Sequence, residues 1–175
     1  MNERSLTVGE VLRFANHDFL NQLQLISMHL QMGNVGGAFQ QIEEFQQKNQ
    51  QTSKLTKLQL PKTVEWLLTA NWRFPGLELN IVNDCSSEVD SSLDEAIVSY
   101  LEHTVIHVYN TLDPFTEQKC TISILNGSIF QVVCHLQGMW QANCEMLQYI
   151  NNSLIDVEVL QNSETEIKVI FKAKE

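Results

Sequence analysis

Apolar residues recur along the first third of the chain at alternating spacings of three and four: Val8, Leu12, Ala15, Phe19, Leu23, Ile26 and Leu30. At about 100° per residue these positions form one stripe, and no proline falls between Leu6 and Met32, so the pattern predicts one long helix with bundle or coiled-coil periodicity. Gly33, Asn34, Gly36 and Gly37 interrupt it, which predicts a C-cap and a tight connection where the chain reverses. A second, weaker seam of Ala38, Phe39, Ile42, Phe45, Asn49, Thr52 and Leu55 completes an αα-hairpin, with Gln46, Gln47, Gln50 and Gln51 on an exposed face. Two helices alone bury little. Their seam needs the rest of the chain or a second copy, and pairing two hairpins into a dimeric four-helix bundle is the simplest solution.

The pattern changes beyond Pro61. A third helix is predicted from Lys62 to Phe74, carrying Val64, Leu67, Leu68 and Trp72 and ended by Pro75 and Gly76. Leu77, Leu79 and Ile81 then alternate with Glu78, Asn80 and Asn83 as a half-buried strand. A polar stretch from Cys85 to Ser92 leads into a helix from Leu93 to about Leu112, with Ile97, Leu101, Val105 and Val108 on one face and Asp113 and Pro114 closing it. Cys120 to Leu125 and Ile129 to Leu136, joined through Asn126-Gly127, predict an antiparallel hairpin. Residues 141 to 152 predict a short helix, and Ile155 to Leu160 with Glu166 to Phe171 a second hairpin. The expected fold is therefore α+β, with a helical hairpin over residues 1–58 and an α/β unit of about five strands over residues 59–175.

Composition narrows the class. The 175 residues are 43% hydrophobic and 18% charged, the balance of a folded chain. A net charge of -10 argues against nucleic acid or an anionic membrane as partner, since both select clustered Lys and Arg, and favours a protein partner. No apolar run approaches the roughly 20 residues of a membrane span, and Met-Asn-Glu-Arg-Ser lacks the regions of a signal peptide, so a cytoplasmic location is expected. Cys85, Cys120, Cys134 and Cys144 form no C-x-x-C pair and are read as buried thiols rather than ligands.

The segment with chemical promise is His17-Asp18-Phe19-Leu20-Asn21-Gln22-Leu23-Gln24-Leu25-Ile26. Against a seam centred on Ala15, Phe19 and Ile26, His17 lies about 160° round the helix, which points its imidazole at water or a docking protein. A neutral imidazole offers one unprotonated nitrogen as a nucleophile, and a neighbouring carboxylate can orient the ring and select its tautomer. Asp18 is the candidate orienter and Asn21 lies one turn further along the same face. Leu20, Gln24 and Met28 are the candidate partner-binding residues, although Met28 could equally pack on the same chain. On periodicity alone the plainer reading, a solvated histidine, is favoured.

The segment resembles the phospho-accepting box of two-component signalling proteins, specifically that of the sporulation initiation phosphotransferase B family, whose pattern is His-Asp-aromatic-x-Asn-x-Leu-Gln-Leu-Ile. The similarity continues through Ser53-Lys54-Leu55-Thr56-Lys57-Leu58, Trp66-Leu67-Leu68-Thr69-Ala70-Asn71-Trp72 and Leu77-Glu78-Leu79. The resemblance implies a homodimer around a central four-helix bundle, each subunit adding an α/β domain similar to a degenerate histidine-kinase ATP-binding domain. It implies a phosphotransferase that takes a phosphoryl group from one response regulator onto His17, with Asp18 and Asn21 as neighbours, and passes it to a second, in control of sporulation initiation. No cofactor is expected on this chain; magnesium would come with the partner's receiver domain. Asn16 and Gln22 depart from the family, which often has basic residues there, and both changes remove positive charge beside the acceptor.

A nucleotide site is not expected. The seven glycines never form G-x-G, and the helix that would carry a magnesium-binding Asn reads Leu101-Glu102-His103-Thr104-Val105-Ile106-His107. His103 and His107 have metal-pair spacing but no recognisable third ligand, and Trp66, Trp72 and Trp140 are read as packing residues. Two rival functions stand beside the relay: a non-catalytic dimeric module that sequesters a regulator, and a sensor kinase with a divergent ATP site.

Overall fold

A computed structural model describes residues 6–85, 88–140 and 152–174. The chain divides into two compact units, Met1–Ser53 and Lys54–Glu175. It is a mixed α and β protein, helices first and then a five-stranded sheet.

The first unit contains α1, Val8–Gln31, and most of α2, Val35–Leu55. Thr7 starts α1 with a capping box: its hydroxyl oxygen accepts from Glu10 N–H at 3.3 Å while Glu10 Oε2 accepts from Thr7 N–H at 2.9 Å. At the other end Gly33 turns into the left-handed region at φ 72°, letting its N–H reach Leu30 O and that of Asn34 reach His29 O, the two bonds of a Schellman turn. Asn34 then opens α2, its Oδ1 accepting from Gly37 N–H at 2.9 Å. Because that side chain caps the helix so early, Gly36 and Gly37 lie inside α2 and not in the connection the sequence predicts. Gly37 permits a close approach, for a Cβ there would stand 2.5 Å from His29 Nδ1. Phe19 and Phe45 face each other across the hairpin, ring centroids 6.1 Å apart.

The second unit comprises α3 (Pro61–Arg73), β1 (Leu77–Asn83), a 3-10 turn (Ser91–Leu93), α4 (Asp94–Tyr109), β2 (Gln118–Asn126), β3 (Phe130–Gln137), β4 (Ile155–Asn162) and β5 (Glu166–Ala173). The sheet runs β1-β2-β3-β5-β4; β1 is parallel to β2 and every other pairing is antiparallel. Alternate residues of each central strand, among them Ile122, Ile124, Val132, Leu136, Ile167 and Phe171, join Leu101, Val105 and Val108 of α4 in one core. Asp94, the first residue of α4, caps α3 from outside: its carboxylate accepts from Lys62 N–H at 2.8 Å and from Thr63 N–H at 2.7 Å. Residues Leu55, Leu58 and Leu60, at the end of α2 and beyond, belong to this core.

α4 stops at Tyr109, short of the expected Leu112, because Leu112 forms an isolated bridge with Trp140 and Asp113 N–H bonds Met139 O at 2.8 Å. Strand pairing takes the backbone groups that another helical turn would use. The short helix expected over 141 to 152 lies outside the described residues, apart from Asn152.

Candidate functional site

α1 places His17, Leu20, Asn21, Gln24 and Met28 on one line, since offsets of three, four, seven and eleven return to the same helical face. His17 is 70% exposed and Asp18 53%. Leu20, Asn21, Gln24 and Met28 are exposed as well. The structure thus brings the predicted residues together on one accessible surface.

Both hydrogen-bonding contacts of the imidazole fall on Nδ1: Asp18 Oδ1 at 3.5 Å and Asn21 Nδ2 at 3.2 Å. They ask for different tautomers. A carboxylate only accepts, so Asp18 calls for Nδ1–H, whereas the Asn21 amide nitrogen donates and calls for a bare Nδ1. Turning the Asn21 amide over would present its oxygen, and both neighbours would then hold Nδ1–H and leave the lone pair on Nε2. The tautomer of His17 is therefore linked to the orientation of one amide.

The seam is no better covered than this face. No residue of α1 is buried, and Val8, Leu12, Phe19, Leu23 and Leu30 remain half or more exposed or close to it, from 47% to 76%. The hairpin presents two apolar surfaces, the seam and the face beside His17.

In the α/β unit several polar and aromatic side chains are engaged within the protein. Glu102 is committed to Trp66 Nε1–H and to the Arg73 guanidinium. Trp66 and Trp140 are buried, the latter donating from Nε1 to Ser163 O at 3.0 Å, and Trp72 is half-buried. Gly138 lies under Gln118, whose amide bridges Asp113 O and both backbone groups of Met139; a Cβ on Gly138 would meet Gln118 Oε1 at 1.8 Å. Cys120 and Cys134 are buried free thiols, and the Cys134 thiol together with burial pushes Cys120 well above the usual thiol range. Among the described residues no cluster of three or more His, Cys, Asp or Glu could hold a metal ion, and no helix is long and apolar enough to cross a membrane.

Sequence reasoning does not anticipate the pairing of His29 with Asn34, a second imidazole–amide contact at 3.1 Å. The available signal is Asn34 standing three residues before Gly37, the spacing of a capping amide.

Residues 1–58 match the family model described as sensor kinase SpoOB-type, alpha-helical domain. No curated protein matches the chain. Among solved structures, the Erythrobacter litoralis EL346 blue-light activated histidine kinase is similar at 10% identity with a TM-score of 0.47. The match covers 99% of this chain and 61% of that one.

Proposed function

We propose, from the premise that residues 1–58 are a SpoOB-type helical domain of two-component signalling, that this chain is a phosphorelay phosphotransferase working through His17. It accepts a phosphoryl group from the aspartate of one response regulator and hands it to a second, in the control of sporulation initiation. The observation that carries the reading is the exposed imidazole of His17, held at Nδ1 by Asp18 and Asn21, within a segment matching that family.

In the transfer, Nε2 of His17 attacks the phosphorus of the acyl phosphate as the phosphorus–oxygen bond breaks and the receiver carboxylate leaves with the bonding pair. The ring keeps its proton on Nδ1, where the Asp18 carboxylate balances the positive charge of the phosphorylated imidazole. An aspartate of the second receiver then attacks the same phosphorus and displaces Nε2. Both ends are high-energy linkages, so the protein chiefly positions the groups. Magnesium belongs to the receiver, which docks over Leu20, Gln24 and Met28.

The uncovered seam of α1 supports a homodimer in which two hairpins close a four-helix bundle, residues 1–58 serving dimerisation and transfer. Residues 59–175 act as a degenerate kinase-type domain without a nucleotide site. Two details support this: Glu102 is tied to Trp66 and Arg73, and Gly138 gives room to Gln118 rather than to a phosphate.

Incubation with a labelled, phosphorylated receiver tests the proposal. Label should appear on the wild-type chain, and on a fresh receiver added afterwards. Absence of label on a chain that still binds the receiver would favour a sequestering module, and labelling from ATP alone would favour a kinase.

A further inference from the structure

A cavity of about 560 Å³ opens in the α/β unit, between the end of α2 and the end of β1. Lys54, Lys57 and Leu58 line one part of it, and Asn83, Asp84 and Glu88 another. Its volume is in the range of small-molecule sites. None of these residues belongs to the proposed transfer chemistry.

Asn83 is the decisive wall residue. It ends β1, paired with Ile124, and is only 2% exposed. Its Oδ1 accepts from Cys85 N–H at 3.0 Å, which fixes the amide the right way round. The Nδ2 that remains is buried and has no hydrogen-bond partner among the described residues. A buried donor left unmatched is costly, so such a group in a cavity wall marks a place for an acceptor.

The charges repeat the message. Two ammonium and two carboxylate side chains line one cavity, yet among the described residues no salt bridge joins Lys54 or Lys57 to Asp84 or Glu88. They frame the space instead of closing it. Lys54, Lys57 and the unmatched Nδ2 of Asn83 offer donors, which suits an anionic oxygen group; Asp84 and Glu88 supply acceptors, which suits hydroxyls.

We propose that this cavity binds a small hydroxylated organic anion, its acidic group held by Lys54, Lys57 and Asn83 and its hydroxyls by Asp84 and Glu88. The proposal does not depend on His17. Phosphate esters and sugar acids share this chemistry, and ribose 5-phosphate and gluconate probe the two sources on the full chain. Titration should give saturable binding of one of them by calorimetry, with the Cys85 backbone amide among the shifted signals in nitrogen-15 NMR. Asn83→Asp keeps the acceptor for Cys85 N–H while replacing the free donor with negative charge. It and the surface variant Lys57→Gln should each weaken binding roughly tenfold or more. Lys172→Gln, on β5, should leave binding unchanged. Should Asn83→Asp fail to fold, Lys54→Gln with Lys57→Gln carries the test alone. Saturation by neither probe, undiminished binding in that double variant, or equal affinity for inorganic phosphate would overturn the proposal.

Discussion

In α4, Leu101, Val105 and Val108 are fully buried, whereas the equally regular seam of α1 leaves Val8 at 76% and Leu12 at 56% exposure. Periodicity is similar and the outcome opposite. α4 lies against a five-stranded sheet that supplies a facing apolar surface, while α1 meets within its unit only one antiparallel neighbour, α2, rich in glutamine. An amphipathic pattern reports that a helix has a face to bury; it does not say whether the cover comes from the same chain. The second unit is built around its own core, and the first keeps its apolar surface available. On the proposed function that availability serves a second copy along the seam and receivers along the His17 face.

The comparison is broken most decisively at the proposed nucleophile. His17→Gln should abolish labelling by a phosphorylated receiver and leave the melting temperature nearly unchanged, because the His17 side chain is 70% exposed. Labelling that persists in this variant would place the acceptor elsewhere. In the self-contained unit, Leu101→Ala removes a fully buried side chain and should cost about 2–5 kcal/mol by urea unfolding. The same truncation at Leu12, 56% exposed in the single chain, separates the two kinds of surface. It should lower stability only in a concentration-dependent way, through the dimer.

Phe19→Glu sharpens the distinction further. Next to Phe45 in an uncovered hairpin the carboxylate is tolerable, but in a dry bundle core it costs several kcal/mol or takes up a proton. Light scattering at micromolar concentration should show a wild-type dimer and a folded monomeric variant; a wild-type monomer would refute the bundle. Asp94→Ala removes the acceptor of two α3 backbone N–H groups and should destabilise the α/β unit by about 1–3 kcal/mol, without changing the dimer. Asn21→Ala is the mildest. It should change transfer by a few-fold and shift the tautomer balance of His17 seen in imidazole nitrogen-15 NMR, since one of the two Nδ1 neighbours is lost.

Most elements were legible because each is announced locally. The reversal after Met32 shows in Gly33, the start of α3 in Pro61, the β2–β3 turn in Asn126-Gly127, and the strands in their alternation. The expected five strands are all present. Where the reading slipped, the causes differ: at Gly36 and Gly37 a nearby capping amide, Asn34, starts the helix early, and at Leu112 the sequence-distant Trp140 backbone decided. Asp94 capping a helix that begins 33 residues earlier leaves no local signature at either end.

His17, Asp18 and Asn21 were legible as a group because they are close in sequence on one helix, and helical geometry alone brings them to a common face. What sequence determined, then, is what short-range stereochemistry dictates: the helices, the strands, and the outward placement of His17. Tertiary structure alone decided that Asn83, from a strand end, shares a cavity with Lys54 and Lys57. The physical reason is that hydrogen-bond geometry and solvent exclusion are set by which surfaces meet, and residues separated by a whole helix meet only when the core has formed.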